Sequence, residues 1–313
     1  MKNKLKSTLL ILCIPVVVYL IFRILQPARF GSADGMFILF QQAMMPSVTA
    51  CGLFFIITMG LWDFSVGANI VLSAIIAVQL YGIIGMPGLI LGGIVTGTLV
   101  GFVNGITYIK LKIPSIIVSI GMLMFYECLG MLASGGSILT LVAQGRILGK
   151  APWNIVGCVI AFVLAHFLIS YTRIGIYIRA VGSNETVVSA MGVDVGKYKM
   201  LGFTLCGLFS GIASVLTVSY SSSIAPLLSM ESMDRNFLPL MGCFVGLALK
   251  KYISPIVAIL LGELTISMLI SGLMTNGIDA TLQNVVIGLT LLVIVGVSAR
   301  SLRAQKNKEI VVK

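Results

Sequence analysis

The sequence predicts an all-α membrane protein that crosses the bilayer about ten times. Hydrophobic residues make up 58% of its 313 residues and charged residues only 10%, and the mean hydropathy is +1.09. A soluble domain carries about 25% charged residues. The apolar residues also fall into runs of about 20, which is the length of helix that spans the hydrocarbon core. These features exclude a water-soluble protein with one large core.

The apolar runs follow one another along the whole chain, so residues 1–313 are predicted to form a single transmembrane domain. The eighth run is the shortest, and we expect it to be tilted, broken or longer at its start. Five helices in each half would allow two repeats of opposite orientation in the membrane. The predicted spans are roughly 8–25, 37–59, 66–84, 89–109, 114–132, 153–171, 200–219, 236–249, 252–272 and 283–299.

Basic residues set the predicted orientation. Of the 21 lysines and arginines, 16 fall on one side: three before the first span, two at 110–112, four at 172–199, two at 250–251 and five in the C-terminal tail. The positive-inside rule places this side, with both termini, in the cytoplasm. The net charge of +11 therefore reports membrane topology, and we expect no nucleic-acid partner.

The loop 172–199 is the longest polar interval, and it is predicted to contain one short helix from about Glu185 to Met191. Ser183 or Asn184 can cap its N-terminus, and Gly192 suits its C-terminal end. The helix is too short to be stable alone, so its apolar face must dock either on the membrane surface or on a separate cytoplasmic protein. This predicted face comprises Val187, Val188 and Met191.

The same loop and the helix after it carry a longer pattern, RIGIYIRAVGSNETVVSAMGVDVGKYKMLGFTLCGLFSGIASVL. This stretch resembles the cytoplasmic loop and following helix of the permease subunits of ribose-type ABC sugar importers. The matching positions are Arg173, Gly175, Tyr177, Ala180, Gly182, Asn184, Glu185, Gly192, Val195, Lys199, Gly207, Gly211 and Ala213. In that family the loop holds the coupling helix. The resemblance therefore implies contact with an ATPase through Arg173, Gly182, Asn184, Glu185, Val188, Met191 and Gly192.

The resemblance also implies the rest of the assembly. The chain would be the permease subunit of an ATP-driven importer of a sugar or sugar-like solute, in the bacterial plasma (inner) membrane. Its partners would be a cytoplasmic ABC ATPase, an extracytoplasmic substrate-binding protein, and a second permease as homodimer or close heterodimer. We expect no cofactor in this chain, with ATP and Mg bound by the ATPase. The glycine-lysine stretches at 145–150 and 192–197 have spacings that a P-loop does not use.

A polar interruption, Trp-Asp-Phe-Ser-Val-Gly, begins at Trp62 between two apolar runs. Irregular backbone at membrane depth is tolerated where protein buries it or where it lines a water-filled cavity. Ser65 can cap the next helix and Gly67 permits close packing. We place Asp63, Ser65 and Asn69 on the translocation path, the alternative being a turn whose Asp63 faces water. The stretch resembles the GIDLSVGS of ribose-type permeases.

Two further carboxylates, Glu127 and Glu263, lie in predicted spans and are also assigned to the path, since charges there are costly. A solvated carboxylate is the alternative for Glu127, which stands where the resembling family has arginine. An interhelical hydrogen bond is the alternative for Glu263. Gly242 and Gly246 have the spacing of a close helix contact.

Two other functions remain open at this point. A nucleoside-type ABC permease is a near neighbour of the sugar type. A secondary transporter coupled to protons or cations would use the intramembrane carboxylates Glu263, Asp63 and Glu127. The sequence offers no coherent set of catalytic residues and no cluster of metal ligands, so we do not expect an enzyme.

Overall fold

The computed structural model of the protein describes residues 15–27, 30–249, 253–279 and scattered helical positions between 282 and 296. These residues are mainly helical, which confirms the predicted all-α membrane fold. In chain order the helices are α1 (Pro15–Leu25), α2 (Ala33–Thr58), α3 (Val66–Ile84), α4 (Met86–Leu111), α5 (Ser115–Ser134), α6 (Trp153–Tyr171), α7 (Arg173–Ser183), α8 (Glu185–Ala190), α9 (Val195–Ser221), α10 (Asp234–Leu249) and α11 (Pro255–Thr275).

Within the described residues, seven of these helices, namely α2 to α6, α9 and α11, are long and apolar enough to cross a membrane. Each corresponds to one of the ten predicted spans. The eighth predicted span corresponds to α10, which has 16 residues. The first span begins, and the tenth largely lies, outside the described residues. The count of ten and the inverted repeat therefore stay predictions.

The described chain divides into two compact units. One contains the residues up to Ser47 and those from Phe237 onward, and the other runs from Val48 to Asn236. In the first unit α10 packs closely on α11, as the spacing of Gly242 and Gly246 predicts. A Cβ at Gly246 would lie 2.5 Å from Cγ1 of Ile259. The single domain predicted for 1–313 stays a prediction.

The second unit is built on direct backbone contact between α4 and α9. A Cβ at Gly97 would lie 2.5 Å from the Cα of Gly211, and a Cβ at Gly101 would lie 2.8 Å from the Cα of Gly207. Small residues favour helix association in membranes because they allow backbones to approach. Helix α3 packs against both α4 and α9, so three helices share one core.

The ends of α5 and α9 are joined by a short antiparallel pair of strands. Strand β1 (Leu139–Thr140) pairs with β2 (Ser223–Ile224), with Leu139 opposite Ile224. Two 3-10 helices follow these strands, at Ala143–Gly149 and Glu231–Met233. The segment 222–233 between α9 and α10 is thus irregular, and its backbone needs partners other than a helix ladder.

The glycine contact yields a stability prediction. Gly207→Val places a branched side chain against the Gly97 carbonyl oxygen and the backbone of Gly101, and we expect overpacking to cost about 1–3 kcal/mol or more. The matched control is Gly121→Ala in α5, where a Cβ meets open space. Thermal unfolding in detergent should show a lower midpoint for the first variant only. Equal midpoints for both would contradict the close contact.

Candidate translocation and coupling sites

The turn 59–65 between α2 and α3 is held by side chains. The Trp62 amide donates to Oγ of Ser115 at 2.9 Å. The Ser65 amide and hydroxyl both donate to Oδ1 of Asp63, at 2.8 and 2.6 Å. Asp63 is only 4% exposed, so the alternative of a turn whose carboxylate faces water is wrong. Burial raises the pKa of Asp63, while the hydrogen bonds from Ser65 and Asn104 act against that rise.

Two residues that were not predicted for the path complete a buried cluster with Asp63 and Ser65. Asn104 of α4 donates to Oγ of Ser65 at 2.6 Å and lies 3.4 Å from Oδ2 of Asp63. The Tyr126 hydroxyl of α5 donates to Oδ1 of Asn104 at 2.8 Å. We call these four residues the Asp63 cluster. Its members satisfy one another, which is the usual condition of buried polar groups.

The start of α3 is capped from a distance. Ser65 occupies the N-cap position but makes no side-chain cap, so the predicted cap is wrong. The Gly67 amide instead donates to Oδ1 of Asn236 at 2.7 Å, and the Asn236 amide donates to the Phe64 carbonyl at 2.5 Å. Asn69, predicted for the path, is buried and donates to the Gly97 carbonyl at 3.2 Å.

Glu127 is not solvated. Its side chain is 3% exposed, and its two oxygens accept from the amides of Met230 and Ser232, each at 2.9 Å. Ser229 and Met230 both have positive φ, and on this turn the amides of Met230 and Ser232 face the same carboxylate. The carboxylate therefore anchors the irregular segment before α10. This is a physical reason for an acid where the resembling family has a base.

Glu263 belongs to the first unit, whereas the Asp63 cluster belongs to the second. It is fully buried in α11 and packs against the backbone of Gly242 in α10. The Gly242 amide is the polar group that faces this carboxyl, although its geometry falls short of an ordinary hydrogen bond. The interhelical contact considered from the sequence is therefore present, between the Glu263 carboxyl on α11 and the Gly242 backbone on α10.

The 172–199 loop contains two helices rather than one. Helix α7 was not predicted, although Gly175, Ile178 and Val181 recur every three residues and form its buried face. Arg173 is its first residue and is exposed. The predicted caps of α8 are confirmed: the Asn184 side chain accepts from the Val187 amide at 3.2 Å, and Gly192 has a φ of +80°.

The apolar face predicted for α8 is divided by the fold. Val188 is 6% exposed and packs inward, whereas Val187 and Met191 are 52% and 75% exposed. The prediction of a single face was wrong because only Val188 of the three side chains is buried within the chain. Two apolar side chains therefore remain accessible beside an anchored one.

The start of α8 is tied to neighbouring elements. Gly182 is helical, and its role is close approach, because a Cβ there would overlap the carbonyl oxygen of Thr58. Glu185 forms an ion pair with Lys199, in which Nζ of Lys199 lies 2.7 Å from Oε1 of Glu185. Thr58 is the last residue of α2 and directly precedes the turn that carries Asp63.

The described residues contain seven membrane-length helices, a buried polar cluster beside a helix interruption and a partly exposed loop helix, as expected of a multi-pass membrane protein. The chain belongs to the family described as "Branched-chain amino acid transport system / permease component", which matches residues 35–295. The predicted resemblance to ribose-type import permeases is confirmed by the relatives described next.

Three relatives illustrate the similarity. The ribose import permease of Escherichia coli K12 is 26% identical over 281 residues, covering 85% of this chain and 86% of the relative. The fructose import permease of Rhizobium meliloti is 26% identical over 305 residues, covering 91% and 84%. The L-arabinose transport system permease of Escherichia coli K12 is 28% identical over 262 residues, covering 79% and 77%. No solved structure shows significant similarity to the chain.

The Glu127 anchor yields a prediction. Glu127→Gln keeps the shape but turns an NH2 group toward a backbone amide, and we expect a loss of about 1–3 kcal/mol in stability because a buried donor loses its acceptor. Glu231→Gln, which changes an exposed carboxylate in the same segment, is the matched control. Thermal unfolding measures both, and a Glu127→Gln midpoint equal to that of Glu231→Gln would argue against the anchor.

Proposed function

We propose that this chain is the membrane-spanning permease subunit of an ATP-driven importer, and that a separate ATPase docks on α8. The relatives are named as import permeases for ribose, fructose and arabinose, which supports a sugar or sugar-like solute. The observation that carries the docking proposal is the exposure of Val187 and Met191 on a helix that the loop otherwise holds firmly.

The shortness of α8 supports docking. A six-residue helix has no stability of its own in water, so its position depends on its contacts. Val188, the Gly182–Thr58 contact and the Glu185–Lys199 pair supply those contacts from within the chain. The remaining apolar side chains are available to a cleft on a partner, as in other helix-in-groove interfaces.

The same contacts give docking a route to the transport machinery. Because Gly182 rests directly on Thr58, movement of the α7–α8 corner displaces the end of α2. The turn that follows holds Asp63, whose cluster joins this turn to α4 and α5. ATP and Mg are bound by the ATPase in this scheme, and the permease supplies the path and the response to docking.

The remaining partners complete the proposal. An extracytoplasmic substrate-binding protein delivers the solute, and a second permease, identical or closely similar, completes the pore in the bilayer. Both termini lie in the cytoplasm of a bacterium, on the side that carries most of the basic residues. A nucleoside is the other solute class, and competition between unlabelled nucleosides and labelled ribose, fructose or L-arabinose distinguishes the two.

One observation favours a second candidate function. Glu263 is a fully buried carboxyl in a membrane-length helix, with the Gly242 backbone as its polar neighbour, and such groups in membrane spans often serve proton or cation movement. A secondary transporter would move solute in vesicles without any ATPase. Uptake that follows an imposed proton or sodium gradient, with no ATPase present, would favour this candidate over the ATP-driven importer.

The docking proposal predicts that Val187→Asp and Met191→Asp weaken ATPase association about tenfold or more, because each places a charge in an apolar contact. Ile138→Asp is the matched control, since Ile138 is 66% exposed. It comes after the C-terminal end of α5, whereas the turn 59–65 is bonded to the N-terminal end of that helix. Co-purification of the ATPase and substrate-stimulated hydrolysis in vesicles measure the effect. Wild-type association in both α8 variants would remove α8 as the docking site.

The Asp63 cluster predicts a transport defect without a docking defect. Asp63→Asn faces its new NH2 group toward Asn104 or Ser65, and we expect uptake of the labelled sugar to fall severalfold because the turn is repositioned. Asp194→Asn is the control, since asparagine caps α9 as well as aspartate does. Uptake within twofold of wild type at equal expression would remove Asp63 from the transport machinery.

A further inference from the structure

Lys199, near the start of α9, lies between the docking helix and the core of the second unit. Its ammonium group is 2.7 Å from Oε1 of Glu185 and 5.7 Å from the centre of the Tyr108 ring. The Lys199 side chain is only 13% exposed, whereas that of Glu185 is 55% exposed. One largely buried cation is therefore shared between an accessible carboxylate on α8 and an aromatic face on α4.

Tyr108 connects this cation to the Asp63 cluster. It lies one helical turn from Asn104 on α4, so the two side chains share one face of that helix. Asn104 is the member of the cluster that bonds both Ser65 and Tyr126. Between them, Gly105 packs so closely on α9 that a Cβ there would lie 3.0 Å from the Cα of Met200. The C-terminal end of α4 is thus packed directly against the N-terminal end of α9, so a shift of one end displaces the other.

We propose that Lys199 is a positioning residue that transmits the state of α8 to the Asp63 cluster through α4. A partly buried ammonium needs a compensating charge, so when docking shifts Glu185 the Lys199 side chain must follow it or lose its ion pair. Either response changes the contact with Tyr108 and the seating of α4 beside Asn104. This inference rests on the proposed function, since it requires an ATPase that docks on α8.

A purely structural ion pair makes a different prediction. A pair with one half-exposed partner contributes little to stability, so if Lys199 only holds α8 in place its loss should weaken docking or do nothing. If Lys199 instead acts as a relay, transmitting the state of α8 to the Asp63 cluster, its loss leaves docking and ATP hydrolysis in place. The loss then reduces the transport that docking and hydrolysis drive. The test must therefore measure association, hydrolysis and uptake separately.

The central variant is Lys199→Met, which keeps the length of the side chain and removes its charge. It is compared with Lys199→Arg, which restores a cation able to pair with Glu185 and stack on Tyr108, and with Lys197→Met, which removes an exposed charge from the same helix. Each variant is reconstituted in vesicles with the ATPase and the substrate-binding protein. The readouts are co-purified ATPase, ATP hydrolysed, and uptake of labelled ribose, fructose or L-arabinose, whichever the wild type transports.

We expect Lys199→Met to retain the ATPase, because Val188 and the Gly182–Thr58 contact still hold α8. Uptake per ATP hydrolysed should fall about fivefold or more, which is the usual range of coupling between sites. Lys199→Arg should recover most of the loss, and Lys197→Met should match wild type. Lost association with Lys199→Met but retained association with Lys197→Met would overturn the relay and leave the docking proposal intact. Wild-type uptake per ATP in Lys199→Met would also overturn it. If wild-type permease itself binds no ATPase, the proposed function is what has failed.

A second comparison tests the link to α4. Tyr108→Phe keeps the ring face under the cation, whereas Tyr108→Leu removes it. We expect normal uptake per ATP for the first and a reduced value for the second, and the loss in a Tyr108→Leu, Lys199→Met double variant should be less than the product of the single losses. Independent, fully multiplicative losses would show that the two residues do not act through one contact, and would overturn the relay.

Discussion

The structure depends on a requirement for partners at two interruptions of its helices, 59–65 and 222–233. A backbone amide without a hydrogen bond is costly in an apolar interior, and neither interruption has a helix ladder to satisfy it. Side chains from the same turn and from other elements meet the requirement. Asp63 accepts from Ser65, Asn236 accepts from Gly67, and Glu127 accepts from the amides of Met230 and Ser232. Asp63, Asn236 and Glu127, which are buried polar residues of the second unit, therefore serve as hydrogen-bond acceptors for backbone amides.

These partners also join separate elements of the second unit to one another. The turn after α2 is bonded to α4 and α5, the segment before α10 is bonded to α5, and Asn236 in the first turn of α10 is bonded to the start of α3. Direct backbone contact between α4 and α9 then brings the loop helices α7 and α8 into the same unit, since α9 continues from that loop. A close-packed arrangement of this kind passes displacement between its parts, because packed interiors have little free volume.

Local patterns predicted local structure well. The cap at Asn184 and the left-handed residue Gly192 are interactions within a few residues of α8, and both are present. The long apolar runs also predicted the seven membrane-length helices, because helix length and apolar composition are properties of each segment. The glycine spacing at 242 and 246 predicted a close helix contact for the same reason, since it describes one face of one helix.

The sequence by itself determined the class of protein, the position of most spans and the residues that begin and end α8. Only the tertiary structure decided what each polar residue contacts. Ser65 bonds Asp63 and Asn104 rather than capping α3, Glu127 binds amides about 100 residues away rather than water, and α8 buries only Val188 of its apolar face. Each outcome depends on groups brought close by the fold from distant positions. A pattern of residues that are neighbours along the chain contains no information about contacts between residues far apart in sequence.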